Sequence, residues 1–539
     1  MNLDASPREY EFRKFSTDLV LIGVLVVAAF IFVLVGFLRV SPYVMHASIY
    51  DYWFESDPPG VVDQMLHHGG DHARTSHHPL FSILVFTPIY VLRKVLQLSP
   101  EGAIGIILAL VAAIWIAAFF VCLRVLGLRR VDSIVFAVLA ATSASVVFWF
   151  PIPESFGFGA LSIILALTAT AFSERNHKFP LWIYLIASIA TLSFTSTNWM
   201  VGLAMLFVLL GWRIAIPLSL MSASIVSIIW SIQRVIFPTA GSPLNLLTPD
   251  ETDYLFNKEA IGLCAKIYSF FFHSIILPQV GDAYGYRLSV QGMLPGSGSY
   301  LAAAGVALWV ALLALAGWSA FHLKGSKTVS VLLLAIIGQF VLSIIFGVET
   351  FLYSAHFGPL LVLFCALSGL TPARKLAMLL GVVLVIVSGV NNIQKFDAAA
   401  DGLKARYEDE YQFTAKALEL TDPKSLIICG RQAAAAIGLE ERGRWSPREH
   451  PVNEIMLPNI SETGLFIFNE LREKRKGWVL VYEDWSMDAI ETFRKRGAKY
   501  FITPYAYGRQ HKPELFQALD RRFRKVEQSS KWVFYDLEP

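Results

Sequence analysis

The stretch "QMLHHGGDHARTSHHPLF" (residues 64–81) holds His67, His68, His72, His77 and His78, five of the chain's twelve histidines. The acids Asp51, Glu55, Asp57, Asp63 and Asp71 crowd the same loop. Neutral imidazole and carboxylate are good ligands for zinc or manganese, and a positioned carboxylate is a general base. The run "HHGGDHARTSHH" has no HExxH-like spacing, so a histidine-only metal box is disfavoured. A looser arrangement fits better, with one or two carboxylates and a histidine sharing a divalent cation with a substrate phosphate. Two more acids stand out: Glu154, between Pro153 and Ser155, and Glu349, with Tyr353 and His356 close behind it. Each lies at the end of a hydrophobic helix, a depth at which an ionisable group is costly and marks a functional site. The plainer readings are solvation for the loop acids and, for Glu154, capping of the following helix at its positive end. Convergence favours a site, because Asp57, Glu154, Glu349 and His356 come from three loops that should meet on one face.

The elements that position these loops are membrane spans. The 539 residues are 55% hydrophobic and only 16% charged, and mean hydropathy is +0.53, far too apolar for a soluble domain. A formal net charge of +3 excludes a nucleic-acid-binding field, and four scattered cysteines give neither a disulfide framework nor a zinc spacing. About 20 apolar residues cross a bilayer. Eleven spans follow, near 19–40, 103–123, 131–150, 156–173, 179–195, 199–212, 214–236, 301–323, 328–348, 355–370 and 375–391. The first is read as a retained helix, since no small-residue cleavage site follows it. The segment 79–96, broken by Pro79, Pro88, Arg93 and Lys94, reads as an outer juxtamembrane helix. With that choice the basic loops "RVLGLRR", "SERNHK", "HLKGSK" and "TPARK" fall on the cytoplasmic side with the N-terminus. The long loop 237–300 is long enough to cover a site.

The fold class is therefore a polytopic α-helical membrane protein, with transmembrane domain 1–391 and a soluble extracytoplasmic α/β domain at 392–539. Short β-like runs such as "KSLIICG", "GWVLVYED", "KYFITPY" and "KWVFYDL", alternating with amphipathic stretches, carry the second assignment.

The order of features resembles the GT-C superfamily of integral-membrane glycosyltransferases, which includes bacterial protein mannosyltransferases and aminoarabinose transferases. The likeness rests on "SDPPGVVDQMLHHGGDHARTSHHPLF", with Asp57 at the acidic position and "HHPLF" at a Pro-Leu-aromatic position. It extends to "PIPESFGFGALSIILAL" and "ETFLYSAHFGPLL", covering roughly residues 18–370. It departs where Ser56-Asp57 replaces an Asp-Glu pair and where Glu154 stands alone.

The resemblance implies a glycosyltransferase moving a sugar from a polyprenyl-phosphate donor to an extracytoplasmic glycan, lipid or protein acceptor, in a bacterial inner (plasma) membrane. Transfer would invert the anomeric carbon, with Asp57 as general base and Glu154 as the second catalytic acid. An anionic leaving group needs donors or cations. Arg74, His77, His78, Arg287, Glu349, Tyr353 and His356 are the candidate substrate-binding residues, and Asp57, Glu154 and His78 the candidate ligands of a divalent metal (Mg, Mn or Zn). Two other classes compete: a secondary transporter, disfavoured by the lack of an internal repeat, and a non-catalytic envelope-assembly protein.

Overall fold

The computed structural model describes residues 12–45, 52–176, 179–243, 262–283, 287–323, 325–347, 349–420, 426–429, 466–469, 478–481 and 485–538, apart from 496, 506–508, 510–511 and 530–531. The chain divides into two compact units: 1–45, 54–281 and 289–400 in the first, and 46–53, 282–288 and 401–539 in the second. The second unit takes up the chain again at Asp401. Position 391 lies inside one helix, Arg374–Leu420, because the charged, alanine-rich sequence after Lys395 ends the apolar run but favours continued helix.

The first unit is helical. Its elements begin with α1 (Phe12–Val44), α2 (Pro58–Leu66), α3 (Phe81–Val95), α4 (Pro100–Leu126), α5 (Arg130–Thr142), α6 (Ala144–Trp149) and α7 (Phe156–Arg175). There follow α8 (Leu181–Phe194), α9 (Trp199–Leu210), α10 (Trp212–Ile236), α11 (Leu263–Tyr268), α12 (Tyr300–His322), α13 (Lys327–Ile345), α14 (Ser354–Ala366) and α15 (Arg374–Leu420).

Eight helical segments among the described residues are long and apolar enough to cross a membrane, which makes this an integral membrane protein. All eleven expected spans are helical, but three fall short: α8, α9, and the expected 131–150 span, which breaks at Ser143 into α5 and α6. The break is held by Asn392, whose Nδ2 donates to the carbonyls of Thr142 (2.8 Å) and Ile275 (2.7 Å). Helix α3, 15 residues with an internal Pro88, is shorter than each of the eight.

Helices α7 and α14 are apolar all round and largely buried, whereas α1 and α10 are mostly exposed, the pattern of a core surrounded by lipid-facing helices. At the end where α1 begins, charged groups pair rather than stand alone: Arg374 donates twice to Asp132, each at 2.7 Å, and Arg124 donates to Asp18 at 3.1 Å. Glu174, at the end of α7, caps α13 by accepting from the backbone N–H groups of Lys327 (2.7 Å) and Thr328 (2.9 Å).

The second unit contains a six-stranded sheet in the order β4-β5-β3-β6-β8-β7. Its strands are β3 (Leu426–Cys429), β4 (Phe466–Asn469), β5 (Trp478–Val481), β6 (Ala498–Pro504), β7 (Arg524–Gln528) and β8 (Trp532–Asp536), counted after the short β1 (Gly281–Ala283) and β2 (Arg287–Ser289). Strand β3 runs parallel to β5 and β6, and the outer pairs are antiparallel. Helices α16 (Met487–Lys495) and α17 (Pro513–Arg522) bury Ile490, Phe493, Phe516 and Leu519 with Phe501 and Tyr535 of the sheet, the α/β pattern expected of the tail.

Candidate functional site

The segment entering the site is bent by Phe54 (φ 50°) and Glu55 (φ 63°), two consecutive non-glycine residues in the left-handed region. Each costs about 1–2 kcal/mol, which the surroundings must offset. Phe54 is fully buried, its ring edge-on to Phe148 (5.7 Å) and Phe351 (5.2 Å), and Glu55 Oε2 accepts from the Glu349 backbone N–H at 3.1 Å.

Two residues on, Asp57 caps α2. Its Oδ1 accepts from the Gly60 N–H at 2.9 Å, and Pro58 and Pro59 occupy the first helical positions, where an N–H is not needed. Gly60 is required sterically, because a Cβ there would lie 2.1 Å from Asp57 Oδ2.

Glu154 meets this cap from 97 residues away. Its Oε1 accepts the Asp57 backbone N–H (3.0 Å), and its Oε2 faces the Ser155 N–H (3.2 Å) and Arg74 Nη2 (3.4 Å). The other arm of the same guanidinium, Nη1, lies 3.7 Å from Asp57 Oδ2. Side-chain exposure separates the two acids: 21% for Asp57 against 0% for Glu154. Asp57 is thus reachable, while Glu154 is a buried anchor for both the Asp57 backbone and Arg74.

Arg74 stands on a 3-10 turn, Ala73–Ser76, built by the histidine loop. Asp63 organises that loop by accepting from the Asp71 N–H (2.8 Å) and bonding His67 Nδ1 (2.9 Å). The five histidines then take separate roles. His67 and His68 are exposed, whereas His72 is fully buried against Phe237. Its Nε2 donates to the His67 carbonyl (3.0 Å), so its Nδ1 accepts from Ser82 Oγ (2.8 Å), and burial lowers its pKa. His77 is half-buried and its carbonyl accepts from the Ser196 N–H at 2.8 Å.

His78 is buried beside the acids. Its Nδ1 must donate to the Phe194 carbonyl at 2.7 Å, which leaves Nε2 as an acceptor 3.4 Å from Ser155 Oγ. Burial, reinforced by the Arg74 charge, pushes its pKa down to about 3, so the ring is neutral at physiological pH.

The remaining expected residues make other contacts. Glu349 is buried, its Oε2 accepting from Ser289 Oγ and from the Gln291 N–H at 3.4 Å. Tyr353 and His356 both pack on Phe156, at 6.0 and 5.8 Å between ring centroids. A Cβ on Gly159 would stand 2.5 Å from His356 Nε2 and 2.8 Å from Asn198 Nδ2, and Gln339 donates to Asn198 Oδ1 at 3.1 Å. Arg287 belongs to the second unit, where its N–H donates to Asp282 Oδ1 at 3.2 Å. Sequence reasoning named Glu55 only as a loop acid and overlooked Ser155, Asn198 and Gln339, for which no local pattern gives a signal.

Among the described residues, no three His, Cys, Asp or Glu side chains stand together as a metal-binding group. Asp57 and Glu154 share a guanidinium instead, and His78 Nε2 faces a hydroxyl, so this donor set does not fit a metal held by those three residues.

No family model and no curated protein sequence matches the chain. Among solved structures it is similar to ArnT from Cupriavidus metallidurans bound to undecaprenyl phosphate, at 11% identity and TM-score 0.53, covering 96% of this chain and 98% of that one. The apo state of the same protein matches at 10% identity and TM-score 0.48, covering 97% and 98%. Arabinofuranosyltransferase AftD from Mycobacteria matches at 13% identity and TM-score 0.43, covering 95% of this chain and 40% of that one. The likeness to ArnT spans nearly the whole of both chains, and the two share a fold.

Proposed function

We propose that the protein is an inverting membrane glycosyltransferase that takes a sugar from a polyprenyl-phosphate donor, with Asp57 as general base. The observation that carries this reading is the Asp57–Arg74–Glu154 arrangement, in which one reachable carboxylate is held in place by a buried one through a shared guanidinium. The fold agrees with it, since ArnT was solved with undecaprenyl phosphate bound.

In the proposed reaction an acceptor hydroxyl or amine attacks the anomeric carbon. The bond from that carbon to the phosphate oxygen breaks, its electron pair leaves with polyprenyl phosphate, and Asp57 takes the acceptor's proton. Oδ1 is committed to Gly60, so Oδ2 is the basic atom. Arg74, whose Nη1 lies 3.7 Å from Asp57 Oδ2, supplies donors for the developing phosphate charge. Glu154 is a positioning residue, because its carboxylate is fully buried and already bonded.

The same reading places the N-terminus in the cytoplasm, and the site and residues 401–539 outside, in a bacterial inner membrane. Proteoliposomes supplied with polyprenyl-phosphate sugars test it: Asp57→Asn should abolish release of polyprenyl phosphate. Undiminished release from that variant rejects the general base, and cytoplasmic labelling of a cysteine placed at 401 rejects the topology.

A further inference from the structure

In the second unit, two cations are held on a single tyrosine. Tyr505, half-buried just beyond β6, packs edge-on to Phe516 of α17 (5.9 Å between ring centroids). Its hydroxyl accepts from Arg509 Nη1 at 2.8 Å and from Lys525 Nζ at 3.1 Å. Both cations also lie against its ring, with Arg509 Cζ 5.2 Å and Lys525 Nζ 4.6 Å from the centroid. Strand β7 supplies Lys525 and pairs it with Tyr535 of β8. Asp520 closes the network, with its Oδ1 accepting from Tyr535 Oη at 2.6 Å and lying 3.0 Å from Lys525 Nζ. Because Nη1 and Nζ touch the same oxygen, two positive charges stand within about 6 Å of each other, with one carboxylate bonded to the lysine alone.

Counting donors shows what this cluster lacks. A phenolic hydroxyl has two lone pairs and one hydrogen; both lone pairs of Tyr505 are taken, so its hydrogen must be donated, and no described residue accepts it. The Lys525 ammonium uses one N–H on Tyr505 and one on Asp520, which leaves a third. Arg509 is exposed, uses a single N–H on Tyr505, and has no acidic partner among the described residues. Three side chains thus converge with unused donors and a net positive charge, which selects an anion. A carboxylate offers two coplanar oxygens, enough for the guanidinium fork alone. A phosphomonoester presents three terminal oxygens tetrahedrally, one for each donor, and carries more than one negative charge at neutral pH. We propose that Arg509, Tyr505 and Lys525 form a binding site for a phosphomonoester, carried either by a soluble molecule or by a lipid headgroup. The site is independent of the proposed sugar transfer.

Protection from phenylglyoxal, which modifies exposed guanidinium groups, tests the proposal arginine by arginine in the full chain held in phosphatidylcholine nanodiscs. Inorganic phosphate should slow modification of Arg509 severalfold at saturation, and acetate at the same concentration and ionic strength should not. Arg524 is the internal control: it is 76% exposed, pairs with Asp536 at 3.2 Å, and adjoins Lys525 on β7, so it points to the other face of the sheet. Tyr505→Phe keeps the ring and removes the hydroxyl, and should raise the phosphate concentration for half-protection of Arg509 about fivefold. Nanodiscs containing phosphatidic acid separate the two sources: protection without added phosphate assigns the site to a headgroup, and protection by soluble phosphate alone assigns it to a soluble phosphomonoester. Equal protection of Arg509 by acetate and phosphate, or none beyond that of Arg524, overturns the proposal in the wild-type chain with no variant needed. An unchanged half-protection concentration in Tyr505→Phe overturns it as well. Neither result bears on sugar transfer, which is read separately through Asp57→Asn.

Discussion

Gly60→Ala isolates the position of the Asp57 carboxylate from its chemistry. The added Cβ would stand 2.1 Å from Oδ2, 2.7 Å from Cγ and 2.8 Å from Oδ1. Ordinary contact begins near 3.4 Å, so Oδ2 must retreat by roughly 1.3 Å, the difference of 3.4 and 2.1. The side chain is short and its Oδ1 is tied to the Gly60 N–H at 2.9 Å, so the retreat also breaks the cap. Loss of a cap costs about 1 kcal/mol, and alanine in place of helical glycine returns a similar amount, so net stability should change little. Catalysis responds differently. A displacement of about 1 Å costs on the order of 100-fold in rate, or about 2.7 kcal/mol of barrier. The expected result is a turnover loss of about two orders of magnitude at nearly constant Tm, measured as polyprenyl phosphate release in proteoliposomes. Gly69→Ala, in the same loop with no atom within 4 Å of its added Cβ, is the control and should be silent. Wild-type turnover in Gly60→Ala would falsify the assignment of Asp57 as base.

Three further outcomes follow from the same geometry. Arg74→Gln leaves the buried Glu154 carboxylate without its guanidinium and should cost about 1–3 kcal/mol in unfolding, below the usual 3–5 for a buried pair because Arg74 is 29% exposed. A double-mutant cycle with Glu154→Gln checks it, and additivity within about 0.5 kcal/mol contradicts the coupling. The His78 pKa is depressed from 6.5 to about 3, so the unfolded chain binds the proton more readily, and this stability is complete above pH 6.5 and lost as pH falls toward 3. Tm of the solubilised protein should drop on acidification across that window, and drop less in His78→Asn, whose amide can still donate to the Phe194 carbonyl. Gly159→Ala presses a methyl against His356 Nε2 and Asn198 Nδ2 and should destabilise by about 1–3 kcal/mol, visible as a lowered Tm.

Hydropathy alone identified this as a membrane protein and located the eight helices long and apolar enough to cross, because burial in lipid is decided residue by residue along contiguous segments. Runs of β-branched and aromatic residues likewise marked β3, β5, β6 and β8 of the tail, but not β4 or β7. Span length was less legible: nothing in the composition of 131–150 announces the break at Ser143, which depends on Asn392, 250 residues from Thr142. The acids were visible as types out of place, and the structure bonds the Asp57 backbone to Glu154. Their roles were not visible, since exposure separates a reachable base from a buried anchor and exposure is a property of packing. Sequence likewise could not tell His72, buried and doubly bonded, from His67, five residues earlier and mostly exposed. Nor could it show that one guanidinium stands between the two carboxylates. Hydrophobic and propensity signals are local and accumulate over many residues. A functional site is a handful of side chains brought together from distant loops, and only the tertiary structure decides which of them meet.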